Sequence, residues 1–305
     1  HGLIAATYTP LTSQGDLNLA AVPAVVAHLQ RAGVTGLYVC GSTGEGMSLS
    51  TEERREVAKA FVQAAEGKLP VIIQVGHNSL TESRGLAAHA QQIGAAAISA
   101  TCPSYFKIDS ETTLVECMAQ VAAGAPDTPF YYYHIPILTG STIDMVEFLH
   151  LGSRIPNLVG LKYTDTKLHE FLQCRNVDGG RYDVVWGCDE MLMGALAFGA
   201  SAAIGSTYNV AAPLYRDIIT AFDQGDMSRA REGQSMSIAM IRTLARFPFH
   251  PAVKFVLSQL DVPCGPCRLP QRQLTRAEQQ DLTTQLTTIG FGENFTGGVR
   301  WQALA

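Results

Sequence analysis

The sequence predicts an α/β protein, a (β/α)8 (TIM) barrel with a C-terminal helical extension. Short apolar runs alternate eight times with longer amphipathic segments over the first 225 or so of its 305 residues. The apolar runs show no alternation of polar and apolar residues, which is typical of parallel strands buried on both faces. A doubly wound open sheet is the alternative, but no G-x-G-x-x-G follows the first apolar run.

The predicted elements follow one another in strand–helix order along the chain. The strands are predicted at residues 3–8, 36–39, 71–75, 96–100, 130–133, 158–161, 184–186 and 202–204. The helices are predicted at residues 19–31, 51–66, 80–92, 111–123, 143–149, 168–174, 190–198 and 214–222. Ser50 with Glu53 three residues later forms the pattern of a capping box at the start of the second helix. We expect residues 1–225 to form the barrel and residues 226–305 to form a helical region packed on it.

Composition limits the classes of partner. Charged residues make up 16% of the chain and hydrophobic residues 47%, so we expect other protein to cover part of the surface, as in an oligomer. The net charge is −5 and no Lys/Arg cluster occurs, which argues against a nucleic-acid or anionic-membrane partner. No apolar run has the length of a membrane span, and the sequence begins in a strand-like segment without a signal peptide. A cytoplasmic location is therefore expected.

The cysteines and histidines predict neither a disulfide framework nor a metal site. The seven cysteines are scattered and odd in number, as in a reduced protein. Cys264 and Cys267 form a single C-x-x-C, which favours a loop that holds two thiols, with zinc or redox chemistry as the alternative. The eight histidines show no ligand spacing, so no metal is expected.

Polar residues gather at the predicted C-terminal ends of the strands, where a (β/α)8 barrel has its active site. Most of them are residue types that are also enriched in turns and helix caps. Capping does not explain the positions of Lys162 and Tyr133. The full set is Thr7, Tyr8, Gly41, Ser42, Thr43, Gly76, His77, Asn78, Thr101, Tyr133, Lys162, Gly187, Cys188, Asp189, Glu190, Gly205, Ser206 and Thr207.

Lys162 directly follows the apolar run 158–161. Burial of a lysine is costly, and an amine inside an apolar site loses its proton more readily and attacks a carbonyl carbon to form a Schiff base. The alternative is a strand-end lysine that reaches solvent. Tyr133 ends another strand, and a tyrosine hydroxyl beside a lysine amine is suited to proton transfer in imine and carbon–carbon bond chemistry. An aromatic run such as 131–133 is otherwise typical of a core.

Two loops offer groups for a substrate. Ser42 and Thr43, between Gly41 and Gly44, present hydroxyl and backbone N–H groups near a helix start and could bind a carboxylate or phosphate. No Gly-Lys-Ser/Thr follows, so the loop is not a P-loop. Residues 187–190 bring two neighbouring carboxylates to a strand end, which suits either a polyol or the cap of the next helix.

Four ordered motifs resemble the N-acetylneuraminate lyase branch of the dihydrodipicolinate synthase/N-acetylneuraminate lyase superfamily. The resemblance covers essentially the whole chain. The motifs are Gly41-Ser42-Thr43-Gly44-Glu45-Gly46, Tyr133-His134-Ile135-Pro136, Gly160-Leu161-Lys162-Tyr163-Thr164 and Gly205-Ser206-Thr207-Tyr208-Asn209.

The resemblance implies a Schiff-base (class I) aldolase without a cofactor, usually a homotetramer, that cleaves N-acetylneuraminate (sialic acid) reversibly to N-acetylmannosamine and pyruvate. It assigns the Schiff base to Lys162, proton transfer to Tyr133, and the polarisation of Tyr133 to Thr43. It assigns the remaining roles as follows: carboxylate binding to Ser42 and Thr43; sugar binding to Thr164, Gly187, Asp189, Glu190 and Ser206; and a contact with the neighbouring subunit's site to Tyr105.

Dihydrodipicolinate synthases carry an arginine for a second carboxylate shortly after the tyrosine motif. Residues 137–140 contain none, which argues against a synthase. Two other functions remain open on the sequence. Another pyruvate-dependent aldolase or dehydratase, acting on a sugar acid such as 2-keto-3-deoxygluconate, is the nearest alternative. A non-catalytic barrel that binds a keto acid or sugar is the other.

Overall fold

Eight parallel strands close into a barrel in sequence order, which confirms the predicted fold class. The structure, a computed structural model, describes residues 2–298. Closure is made by β1 and β8, whose residues pair from Gly2 with Ala202 to Ala5 with Gly205. The strands are β1 Gly2–Ala6, β2 Gly36–Val39, β3 Val71–Gln74, β4 Ala97–Ala100, β5 Phe130–His134, β6 Leu158–Tyr163, β7 Asp183–Trp186 and β8 Ala202–Gly205.

Helices surround the barrel and continue beyond it. Each predicted strand and helix has a counterpart in the structure, and residues 226–298 contain the last four helices. Residues 299–305 of the predicted C-terminal region lie outside the described residues. The helices are α1 Val22–Ala32, α2 Thr51–Ala65, α3 Leu80–Gln92, α4 Glu111–Ala122, α5 Pro136–Thr139, α6 Met145–His150, α7 Leu168–Asn176, α8 Leu192–Ala197, α9 Tyr208–Asp223, α10 Met227–Leu244, α11 Phe249–Gln259, α12 Arg276–Thr288 and α13 Glu293–Thr296.

Many predicted boundaries differ from the observed ones by a few residues, and three differences have a structural cause or consequence. β6 continues two residues past its predicted end at 161, so Lys162 lies within the strand. α9 begins at Tyr208 instead of 214, because a kink at Ala211 (φ −143°) allows Pro213 to lie inside the helix. α5 is a single unpredicted turn that begins with Pro136.

The apolar core has two parts. The larger part lies between the barrel and its helices and includes fully buried side chains such as Trp186, Tyr163 and Phe171. The smaller part fills the barrel interior and consists of Ala6, Tyr38, Tyr133, Ile135, Val185, Ala202 and Ile204. Because successive side chains of a strand point to opposite faces, β5 sends Tyr133 inward and His134 outward, and β6 sends Lys162 inward and Tyr163 outward.

The predicted capping box is present at α2. The Ser50 hydroxyl accepts from the Glu53 N–H, and the Glu53 carboxylate accepts from the Ser50 N–H at 2.8 Å. The C-x-x-C forms a loop without helix or strand, and both thiols are free and buried. None of the helices in residues 2–298 is long and apolar enough to cross a bilayer.

Candidate active site

Lys162 lies inside the barrel near the C-terminal end of β6, and only 5% of its surface is exposed. Its Nζ lies 3.9 Å from the ring centroid of Tyr133 and 4.2 Å from that of Tyr38. No ion pair among residues 2–298 involves Lys162. A lysine that reaches solvent, the alternative considered from the sequence, is therefore wrong. The amine faces aromatic rings in an apolar interior.

Tyr133 and Tyr38 hold the amine between them. Tyr133 pairs with Lys162 in the β5–β6 register, and the two tyrosine rings meet edge to face at 5.7 Å. The Tyr38 hydroxyl donates to Ser99 Oγ at 3.1 Å, which fixes its ring. Burial, and then the neighbouring Tyr133, raise the pKa of Tyr38 well above its usual value, so this phenol stays neutral.

Sequence reasoning missed Tyr38. The signal was available, because the residue lies on an apolar strand three positions before Gly41 of the Gly/Ser loop, on the face that points into the barrel. Its contact with Lys162, 124 positions away along the chain, depends on the order of strands around the barrel.

The loops after β2 and β8 meet through a hydrogen bond between Thr43 Oγ1 and Ser206 Oγ at 2.7 Å. Thr43 is buried, whereas Ser42 and Ser206 are half-buried and remain accessible at the strand ends. The structure thus places the Thr43 hydroxyl, predicted to bind a carboxylate, beside the Ser206 hydroxyl, predicted to bind sugar. The polarisation of Tyr133 by Thr43 stays a prediction.

Asp189 follows β7, and its buried carboxylate is hydrogen-bonded to Thr207. Its Oδ2 accepts from the Thr207 N–H at 2.9 Å and from the Thr207 hydroxyl at 2.5 Å. Burial raises the pKa of Asp189 to about 6, and the hydrogen bonds from Thr207 oppose that rise. Its Oδ1 is buried and has no hydrogen-bond partner among the described residues. Glu190, the next residue, is exposed.

Thr164 and Gly187 lie against each other where β6 and β7 end. A Cβ at position 187 would overlap the Thr164 hydroxyl, so only glycine fits there. Thr164 Oγ1 is buried and has no hydrogen-bond partner in the described part of the chain. Buried hydroxyls are normally paired, so this oxygen is free to bond a substrate.

Tyr105 lies at the protein surface. It is 78% exposed in the loop between β4 and α4, with Phe106 beside it at 83%. The loop is tied to α5 by Lys107, whose Nζ donates to the Ser104 carbonyl at 2.5 Å and to the Thr139 carbonyl at 2.9 Å.

A second group of titratable side chains lies behind the site, on the outer face of β5 and β6. His134, Asp165 and Glu170 bring donor atoms within 4.8 Å of one another, the arrangement expected of a cation site. Two of the three are already engaged: Glu170 accepts from the Tyr163 hydroxyl, and Asp165 lies 3.5 Å from Lys167 Nζ. Burial lowers the pKa of His134, which favours the neutral ring. We assign these residues to the support of β5 and β6.

The inner group has the composition of a site for carbonyl chemistry. It contains a primary amine shielded from water, a phenol beside it and hydroxyls at the ends of β2, β6 and β8. An amine held in this way can add to a ketone, and the phenol can carry a proton during the steps that follow.

The comparisons with known proteins agree with one another on the family to which this chain is similar. The model of the dihydrodipicolinate synthetase family matches residues 1–289. An N-acetylneuraminate lyase A of Xenopus laevis is 43% identical over 285 residues, which cover 92% of this chain and 93% of the relative. The solved structure of Proteus mirabilis N-acetylneuraminate lyase has a TM-score of 0.92 at 40% identity and covers 95% of this chain and 98% of its own. A Ruminococcus gnavus sialic acid aldolase, described as a catalytic lysine mutant, has a TM-score of 0.88 at 28% identity and covers 95% of each chain.

Proposed function

Because the chain belongs to the dihydrodipicolinate synthetase family, we propose that it is a Schiff-base aldolase that cleaves N-acetylneuraminate reversibly to N-acetylmannosamine and pyruvate. The observation that carries this proposal is the Lys162 amine, buried between Tyr38 and Tyr133 at the C-terminal end of the barrel. The names of the relatives identify the sugar, and the amine supplies the reaction class.

The cleavage begins when Lys162 Nζ attacks the C2 ketone of open-chain N-acetylneuraminate. Loss of water gives a protonated imine. Tyr133, polarised by Thr43, accepts the proton of the C4 hydroxyl, and the C3–C4 bond breaks as its electron pair moves into the imine. N-acetylmannosamine leaves as the aldehyde, and an enamine remains on Lys162. Protonation of the enamine at C3 and hydrolysis of the resulting imine release pyruvate and restore the amine.

The hydroxyls around the amine bind the rest of the substrate. In this proposal Ser42 and Thr43 hold the carboxylate, with Thr43 fixed by Ser206. The unpaired Thr164 hydroxyl contacts the sugar chain, and Gly187 allows the chain to pass close to the backbone. Asp189, Glu190 and Ser206 complete the sugar-binding set.

We also propose the wider organisation of the enzyme. Residues 1–225 form the catalytic barrel, and residues 226–305 form the helical region packed on it. The active assembly is a homotetramer in which Tyr105 reaches a neighbouring subunit's site, and the enzyme acts in the cytoplasm without a cofactor. The exposed side chains of Tyr105, Phe106 and Ile137 support an interface beside the active site.

The decisive experiment is reduction with borohydride in the presence of pyruvate, followed by peptide mass spectrometry. A reduced pyruvyl adduct on Lys162 is expected, and Lys162→Met should abolish both the adduct and N-acetylneuraminate cleavage while the protein stays folded. Lys68→Met is the matched control, because Lys68 is exposed and forms an ion pair with Glu66 at the surface. Absence of an adduct in the folded wild-type protein would favour the non-catalytic barrel, and cleavage of 2-keto-3-deoxygluconate in preference to N-acetylneuraminate would favour the other aldolases.

A further inference from the structure

The loop that carries Ser42 and Thr43 is held in a strained conformation. Cys40 at its start (φ 59°) and Glu45 near its end (φ 56°) both lie in the left-handed region, which residues other than glycine rarely adopt. Between Glu45 and the helix, a Cβ at Gly46 would overlap the Cys40 carbonyl, so the two ends of the loop touch. Such a conformation persists only where surrounding groups fix it.

A buried ion pair fixes this loop from the C-terminal region. Glu45 Oε1 lies 2.6 Å from Lys254 Nζ of α11, and the exposed fractions of the two side chains are 1% and 2%. The opposite oxygen, Oε2, accepts from the Arg268 N–H at 2.7 Å, and Lys254 Nζ also donates to the Pro266 carbonyl at 2.8 Å. Both charges are therefore paired and hydrogen-bonded to other protein groups, as a buried pair requires.

The same region also clamps the segment that follows the loop. The Arg268 guanidinium bonds both carboxylate oxygens of Glu53, at 2.6 and 2.8 Å, and donates to the Ser48 carbonyl at 3.1 Å. The strained loop is therefore held at Glu45, and the first residues of α2 are held at Glu53. A buried ion pair contributes little net stability, so we assign this pair to fixing the conformation of the loop.

We propose that Glu45 and Lys254 are positioning residues that hold the Ser42 and Thr43 hydroxyls in place for the carboxylate of the 2-keto acid. Neither residue touches the substrate, and the C-terminal region acts on the site through this pair. This inference rests on the proposed function, because it assigns the loop to carboxylate binding.

The test compares Lys254→Met with the matched exposed substitution Lys68→Met. Borohydride trapping on Lys162 is measured as a function of pyruvate concentration and, separately, of acetone, which has the ketone without the carboxylate. In Lys254→Met the half-saturating pyruvate concentration should rise by about tenfold or more, the factor expected for one lost charge-assisted hydrogen bond. The KM for N-acetylneuraminate should rise by a similar factor, and kcat should change less. Trapping with acetone should match the wild type, and Lys68→Met should leave every value unchanged.

Two further variants keep the test decisive if Lys254→Met does not fold. Glu45→Gln retains the shape of the side chain and an acceptor for the Arg268 N–H, and should raise the half-saturating pyruvate concentration. Lys254→Arg retains the charge and should restore part of the loss. Folded variants with wild-type pyruvate saturation, or with equal losses for pyruvate and acetone, would overturn the positioning role. Failure of the wild-type protein to form any adduct would instead contradict the proposed function itself.

Discussion

At the scale of single residues, the hydroxyl of Tyr133 is the group that separates imine formation from bond cleavage. Tyr133→Phe retains the ring 3.9 Å from Lys162 Nζ and removes the proton acceptor. We expect kcat for N-acetylneuraminate cleavage to fall about 10²–10⁴-fold, while pyruvate is still trapped on Lys162. Steady-state kinetics and borohydride trapping measure the two effects. Tyr131→Phe is the control, since its hydroxyl donates to Asp183 at 2.9 Å; equal losses in both variants would argue against a catalytic Tyr133.

Asp189 gives a prediction about stability and pH. Burial raises its pKa from 3.8 to about 6 in the folded protein, so folding favours the neutral carboxyl. Its contribution to stability is fully present below pH 3.8 and is lost as the pH rises through about 6. Between pH 4 and pH 7, the free energy of unfolding of the wild type should fall by about 2 kcal/mol relative to that of Asp189→Asn, which cannot ionise. Urea unfolding at several pH values measures this difference, and parallel curves for the two proteins would show that Asp189 has an ordinary pKa.

The sequence could predict some of these residues and not others. Lys162 was identifiable because a lysine directly after an apolar strand is unusual and costly to bury. Tyr38 and the Glu45–Lys254 pair were not, because an aromatic residue in a strand resembles core and a contact between residues 209 positions apart leaves no local pattern. The cluster of His134, Asp165 and Glu170 was missed for the same reason, since its residues come from three separate segments.

At the scale of secondary-structure elements, we expect alanine to have opposite effects on stability at two glycine positions. A Cβ at Gly160 of β6 would overlap the backbone carbonyl of Asp183 in β7, so Gly160→Ala should destabilise the protein by about 1–3 kcal/mol or more. In α3, a Cβ at Gly85 would have Arg55 Nη2 as its nearest neighbour, at 3.4 Å. Gly85→Ala should therefore stabilise the helix by about 0.5–1 kcal/mol. Urea unfolding at one pH tests both, and a neutral Gly160→Ala would mean that β6 and β7 can separate at this point.

Element types were predictable because each strand is a short apolar run and each helix has an apolar stripe. Element boundaries were less predictable where a tertiary contact determines them. The extension of β6 to Tyr163 follows from its pairing with Trp186 of β7, and the early start of α9 depends on a kink that the sequence does not display.

At the scale of the whole molecule, the exposed apolar side chains beside the site predict the assembly. Four large apolar side chains are mostly exposed there, which is unusual for the surface of a monomer. They are Tyr105 (78% exposed), Phe106 (83%), Ile137 (87%) and Leu138 (59%). Phe106→Asp should reduce the mass measured by sedimentation from four chains to fewer. Activity should fall as well, because Tyr105 would no longer reach the neighbouring subunit's site. Leu172→Asp, on the outer helix α7, is the control and should stay tetrameric. A wild-type mass of one chain would contradict the assembly.

The barrel was predictable because eight repeats of one pattern admit few folds, and the strand ends then define where the site must lie. The surface proposed for assembly was not predictable to the same degree. A low charged fraction indicates covered surface, but which side chains are exposed depends on loops such as the one after β4, whose path the sequence does not specify.

The ring of Trp186, fully buried and stacked on Tyr163 with the ring centroids 6.1 Å apart, places a fluorescent side chain in the outer wall of the site. Its indole N–H donates to the Cys188 carbonyl at 2.6 Å, so the chromophore is fixed at the point where β7 turns toward Asp189. Because the ring is shielded from water and lies next to Tyr163, we expect its fluorescence emission at short wavelength and energy transfer to it from Tyr163. A red shift and a loss of that transfer would report the opening of β6 and β7 without any label.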